Sequence, residues 1–217
     1  MKKIYIFGTT QFAEILSSFL WKDKSQMGGY IVDKDYIDST NSLKNIIAWE
    51  DFIQSNDTSD CIIFIAIGYN SMNQLREKIY HRIKAHGYKV GTYIHPSAVV
   101  SDTAVLGEGA IVLENTIIQP YVKCGVCNIF WSNVNICHHT EIGNFNFFAA
   151  SSAVLGRVVI GHNCFFGCNS TIKNEICIGN KTLIGAGSYC SHDTSEYNTV
   201  LPVRSLCINK KSTEFKI

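Results

Sequence analysis

Residues 94–189 read IHPSAV VSDTAV LGEGAI VLENTI IQPYVK CGVCNI FWSNVN ICHHTE IGNFNF FAASSA VLGRVV IGHNCF FGCNST IKNEIC IGNKTL IGAGSY, sixteen six-residue units without an insertion. The first residue of every unit is apolar, from Ile94, Val100 and Leu106 through Cys124, Phe130 and Phe148 to Ile184. In a chain that is 46% hydrophobic, one phase would be filled this way by chance about four times in a million, so the period is a structural signal. The fifth residue is mostly small, as at Ala98, Ala110, Thr140, Ser152 and Ser170, and suits a tight corner. Glycine follows the apolar residue at Gly107, Gly125, Gly143, Gly161, Gly167, Gly179 and Gly185, where a turn of positive φ is expected. Six residues is the period of neither an α-helix nor a coiled coil. It is that of a parallel β-helix, in which each unit supplies one short strand and one corner, and three units close a coil that stacks about 4.8 Å from the next.

The first half of the chain has a different pattern. A β-branched and aromatic run over residues 3–7 ends at Gly8-Thr9-Thr10, and residues 11–20 carry Phe12, Ile15, Leu16, Phe19 and Leu20 at helical spacing. Short strands follow at 30–32 and 61–67, a helix at 71–85 and a strand at 90–94. Leu75, Ile79, Tyr80 and Ile83 are expected on the buried face of that helix, with Arg76, Lys78 and Arg82 elsewhere on its surface. Continuous apolar strands alternating with helices imply a small Rossmann-like parallel sheet. The chain is therefore α/β followed by β, with expected domains at 1–90 and 91–190 and a tail at 191–217, carrying Arg204, Lys210 and Lys211, that caps the open coil or shares in binding an anionic ligand.

Ligands of such sheets collect at the carboxyl ends of strands. Those ends are Gly8, Thr9, Thr10 and Gln11, then Asp33 and Asp35, then Gly68 and Asn70. A nucleotide diphosphate fits there, with Asp33 either toward the ribose or an ordinary surface carboxylate at a strand end. A dinucleotide cofactor does not, because Thr10 stands where a second glycine would admit the pyrophosphate.

A net charge of +1 gives no electrostatic case for nucleic acid or an anionic membrane. The N-terminal MKKIYIFGTT lacks a signal-peptide core and no run is long enough to span a bilayer, so a cytoplasmic protein is expected. Nine cysteines, an odd number scattered through the units, read as reduced fillers. Cys124 and Cys127 form a lone C-x-x-C, and His138, His139 and His162 do not make a three-histidine site, so no metal is expected.

The densest chemistry is His138-His139-Thr140-Glu141. Histidine is the natural general base near neutral pH. One coil of eighteen residues beyond His138 stands Gly156, whose backbone no side chain shields. A base beside an open N–H suits acyl transfer, the imidazole taking a proton from the nucleophile and the N–H stabilising the oxyanion. Both histidines on an exposed strand as ordinary polar surface is the alternative.

IYIFG, FIAIGYN, YIHPSAVVS, HHTEIGNF, AVLGRVVIGHNCFFGCNSTI and IGAGS together resemble the bacterial sugar acyltransferases that join a nucleotide-sugar-binding domain to a left-handed β-helix. That group contains sialic acid O-acetyltransferases and nucleotide-linked amino-sugar N-acetyltransferases. The resemblance spans residues 2–189. It implies a left-handed helix, a homotrimer with acetyl-CoA in the groove between neighbouring β-helices, and the nucleotide-linked sugar in the N-terminal pocket. It implies His138 as general base and Gly156, with Gly167 and Gly185, on the acyl-CoA side. His139 stands where the family has a carboxylate that orients the base, with Glu141 as a substitute. Phe147 stands where it has a second, CoA-binding histidine, and Trp131 where an asparagine touches substrate. Gly8-Thr9-Thr10-Gln11-Phe12-Ala13 replaces its glycine-rich loop, and Leu201-Pro202-Val203-Arg204 its Gly-x-Pro-Ala-Lys ending. An N-acyltransferase is the expected activity, with sugar O-acylation and a non-catalytic trimeric scaffold as alternatives.

Overall fold

The computed structural model of the protein describes residues 2–21, 26–37 and 43–203. Arg204, Lys210 and Lys211 lie outside the described residues. The first half is an all-parallel sheet in the order β3-β2-β1-β4-β5, made of β1 (Lys3–Phe7), β2 (Met27–Val32), β3 (Ile46–Ala48), β4 (Cys61–Ile65) and β5 (Lys89–Val90). Its helices are α1 (Gln11–Leu20), α2 (Trp49–Ser55) and α3 (Gln74–Ala85). The expected strand over 90–94 is two strands, Lys89–Val90 in this sheet and Tyr93–Ile94 in the β-helix.

Among the described residues the chain from Tyr93 to Val200 is a left-handed parallel β-helix of eighteen two-residue strands in faces of seven, six and five. Each strand pairs with the one eighteen residues on, as in Ile111, Ile129, Phe147 and Phe165. First-position residues fill the interior, where Phe130, Phe148 and Phe166 are fully buried and stack at 4.9 and 4.5 Å. Each such ring contributes about 2–3 kcal/mol of burial, so the ladder is a main source of stability. The last described coil is shorter, Leu183 pairing with Thr199, and residues 191–200 lie over the coil end.

The corners depart from expectation in one respect. Positive φ falls on the fourth residue of each unit from the third onward, from Gly109 through Asn115, Tyr121, Cys127, Asn133, His139 and Phe145 to Gly187, not on the second-position glycines. The cost of holding a side chain in the left-handed region is offset by a hydrogen bond: the N–H of Asn133 reaches Glu114 O at 2.8 Å and that of Phe145 reaches Val126 O at 2.9 Å. The second-position glycines are there because coils approach closely. A Cβ on Gly143 would lie 2.5 Å from the carbonyl oxygen of Gly161.

The N-terminal sheet packs on the seven-strand face. Ile111, Ile129 and Phe147 point outward from that face yet are 1%, 0% and 5% exposed. Their counterparts on the five-strand face, Lys123, Glu141 and Val159, meet solvent. Arg76, expected on the helix surface, is 1% exposed at the seam. Its guanidinium donates to five carbonyl oxygens, those of Ile67, Gly68, Cys127, Phe145 and Asn146. Burial pulls its pKa down to about 9, so it stays charged at neutral pH. Leu75, expected inside, is 38% exposed.

Candidate active site

Two separate places carry the polar groups. The first is a cleft of about 400 Å³ at the carboxyl ends of β1, β2 and β4, lined by Gly8, Thr9, Thr10, Asp33, Gly68, Asn70 and Lys78 among others. Strands β1 and β4 flank the point where the winding direction reverses, which is why the strand ends part there. Gly8 has φ +126°, and a Cβ on it would meet the Ala66 oxygen at 2.7 Å, so only glycine fits. Thr10 is the N-cap of α1 with no side-chain cap bond, leaving the helix N-terminus toward the cleft for an anion. Lys78 adds a cation. One Asp33 oxygen is taken by Arg82, whose guanidinium lies 5.1 Å from the centroids of Phe7 and Trp49. Gln11 and Asp35, expected with this group, do not line the cleft.

The second place is the corner between the six- and five-strand faces. Here a groove is lined by Gln119, Cys137, His138, Leu155, Gly156, Arg157, Asn174 and Glu175. The Gln119 side chain accepts from the His138 N–H at 3.0 Å, and the carbonyls of His138 and Gly156 accept from Arg157 and Glu175. The Gly156 N–H has no partner among the described residues. Its α-carbon faces the imidazole, since a Cβ there would lie 2.6 Å from Cε1 and 2.9 Å from Nε2 of His138. The expected stacking of Gly156 on His138 is thus present.

Two expectations about this corner change. Glu141 does not orient His138: it lies on the flat of the five-strand face and pairs with Lys123 at 3.3 Å. The polar neighbour of His138 is His139, Nδ1 to Nδ1 at 3.2 Å. Phe147 lies on the opposite, covered face, stacked on Phe165 at 5.7 Å and near Trp131 at 6.0 Å, so it is a packing residue of the seam and not open surface. Trp131 packs on Phe12 of α1 at 5.0 Å. Gly167 and Gly185 stack at the corner between the seven- and six-strand faces, a different edge from Gly156. Among the described residues no group of three or more His, Cys, Asp and Glu is placed to hold a metal ion. The C-x-x-C is divided between the β-helix interior, where Cys124 lies, and the seam, where Cys127 lies. Burial pushes both thiols up to about 12.

Lys78 and Gln119 complete these sites beyond the sequence-based candidates. Gln119 stands 19 residues before His138, one coil and one residue back, so its place was legible from the coil length. The role of Lys78 depends instead on which side of α3 faces the cleft.

Fold and site together define a β-helix of hexapeptide repeats with a Rossmann-like sheet on one face and a histidine at the far corner. No protein-family model matches the sequence. Among solved structures, the acetyltransferase domain of PglB from Neisseria gonorrhoeae is similar with a TM-score of 0.81 at 19% identity, over 94% of this chain and 100% of that one. The same domain is known in complex with acetyl coenzyme A. A mutant of perosamine N-acetyltransferase from Caulobacter crescentus, in complex with CoA and GDP-perosamine, has a TM-score of 0.82 at 23% identity, over 92% and 93% of the two chains. WeeI from Acinetobacter baumannii has 0.82 at 21%, over 93% and 97%. At these identities the likeness is one of fold.

Proposed function

We propose that the protein is an acyl-CoA-dependent N-acyltransferase, with acetyl-CoA as donor, acting on the amino group of a nucleotide-linked amino-dideoxy sugar. The observation that carries this reading is the stacking of Gly156, whose N–H has no partner among the described residues, on the ring of His138. His138 Nε2 takes a proton from the sugar amine as its nitrogen attacks the thioester carbonyl carbon. The developing oxyanion accepts from the Gly156 N–H. Collapse forms the amide, breaks the C–S bond, and releases the thiolate, which recovers the proton from the imidazolium. Gly156 bounds the acyl-CoA side, with Gly167 and Gly185 contributed along a groove between chains.

The nucleotide occupies the N-terminal cleft, its phosphates at Thr9, Thr10 and Lys78 and its ribose toward the open Asp33 oxygen. That cleft belongs to the covered face and His138 to the opposite corner, so one chain does not bring them together. A homotrimer that sets the corner of one chain beside the cleft of the next supplies a complete site. Fold neighbours bind CoA and GDP-perosamine, which supports a nucleotide sugar and an acyl-CoA as ligands. No helix among the described residues is long and apolar enough to cross a membrane; a cytoplasmic enzyme serving surface-glycan synthesis belongs to the same proposal.

The test is thiol release from acetyl-CoA with GDP-, UDP- and dTDP-linked 4-amino and 3-amino sugars, each beside its hydroxy analogue. Turnover with an amino sugar alone supports N-acylation. Turnover with the hydroxy analogue moves the assignment to O-acylation, and silence without CoA binding moves it to a scaffold.

A further inference from the structure

The rings of His138 and His139 meet Nδ1 to Nδ1 at 3.2 Å with their planes 83° apart. Two neutral imidazoles share a hydrogen bond at that contact in only one way: one Nδ1 carries the proton and the other offers its lone pair. With Nδ1 engaged, Nε2 is the nitrogen of His138 left for a substrate. If Nε2 is to accept a proton, the resident proton must sit on Nδ1, and His139 must be the acceptor. His139 is held for this. Its backbone is in the left-handed region at φ 59°, its N–H is tied to Pro120 O at 3.2 Å, and its ring lies 4.8 Å from that of Tyr121. Glu141 is on Lys123 and takes no part.

We infer that His139 is a positioning residue that keeps the proton on Nδ1 of His138 and so presents Nε2 as the base. The inference rests on the acyl-transfer reading above. A neutral ring thus does what a carboxylate does beside the base in the family the sequence resembles. The acceptor is part of the chain's own corner, and its orientation depends on the Tyr121 ring beside it.

Two substitutions separate this role from packing. His139→Phe keeps a ring against Tyr121 and removes the acceptor; the corner tolerates it, since Phe145 holds the same place one unit on at φ 59°. His139→Asn restores an acceptor oxygen, and asparagine occupies this place at Asn115, Asn133, Asn163 and Asn169. Nitrogen-15 spectra of histidine-labelled protein, taken where the imidazoles are neutral, read the tautomer without requiring turnover. The expected result is Nδ1–H at His138 in the wild type and in His139→Asn, and a shift toward Nε2–H in His139→Phe. In the thiol-release assay His139→Phe should lower kcat about 10- to 100-fold with KM nearly unchanged, and His139→Asn should recover most of it. A wild-type tautomer in His139→Phe would overturn the inference, as would equal loss in both variants. His138→Ala serves as the control: full activity there would remove His138 as the general base, the part of the acyl-transfer reading on which the inference rests, whatever the tautomer shows.

Discussion

The α-carbon of Gly156 lies against the imidazole of His138 one coil away, so close that a methyl group there would come within 2.6 Å of the ring. The pair sets an imidazole and an unpartnered amide in one groove, and no side chain can be added at Gly156 without displacing the ring.

Gly156→Ala is therefore expected to displace the ring while leaving the fold in place. The corner is an outer one, and the neighbouring units carry side chains at the equivalent third position, as at Asn144 and His162. A fall of about 10- to 100-fold in kcat is expected with little change in melting temperature, measured by thiol release and thermal unfolding. A loss confined to stability would count against the contact having a catalytic role.

The separation of cleft and corner within one chain leads to a complementation experiment. A Cβ on Gly68 would meet nothing within 4 Å, so Gly68→Trp can fill the cleft without backbone strain. Gly68→Trp and His138→Ala chains should each be inactive alone. Mixed trimers should regain up to about a quarter of wild-type activity by random assortment. Mixtures that stay inactive would place both functions in the same chain.

Arg76 fastens the N-terminal sheet to two successive coils by hydrogen bonds to carbonyls alone. Arg76→Met should cost about 3–5 kcal/mol, because several buried acceptors lose their donor together. Arg76→Lys should recover only part of it, an ammonium being unable to reproduce the fork. Urea unfolding followed by tryptophan fluorescence reads both, since Trp49 and Trp131 lie on the two sides of the seam.

Glu108 accepts from Lys84 at 2.9 Å, Tyr80 at 3.2 Å and the Val90 N–H at 3.2 Å. Partial burial works against its charge, but these donors prevail and hold the carboxyl below its usual range. A carboxylate depressed in the folded chain adds stability above its ordinary value, and that stability is lost as pH falls through the folded one. Glu108→Gln should cost about 1 kcal/mol near neutral pH, and the cost should shrink as pH falls through the depressed folded-state value, read from urea midpoints across an acid titration.

The β-helix was legible because its corners and core repeat in register over sixteen units. A second period went unread. Every third outward residue, Tyr93, Ile111, Ile129, Phe147, Phe165 and Leu183, is apolar, which marks one face as covered and would have removed Phe147 from the CoA groove. Arg76 was misplaced because its charge outweighed its spacing: residues 76, 79, 80 and 83 share one helix face, and the backbone carbonyls that meet that face make it polar enough for a cation. The cleft was found from strand ends, but the Arg82 bond to Asp33 spans 49 residues and has no local signature. β3 and α2 were missed because three residues of strand run directly into the helix without a turn. The His138–Gly156 stack was readable from the coil length alone, whereas the His139 contact depends on a left-handed corner that the sequence does not mark.

The most direct test is the rate of CoA thiol release by His138→Ala on the sugar that the wild type accepts, with the oligomer mass checked in parallel. The expected result is a loss of about two to four orders of magnitude in kcat in an intact assembly. A rate within a few-fold of wild type would contradict the account, because the proton would then be leaving the amine without the imidazole that stacks on Gly156.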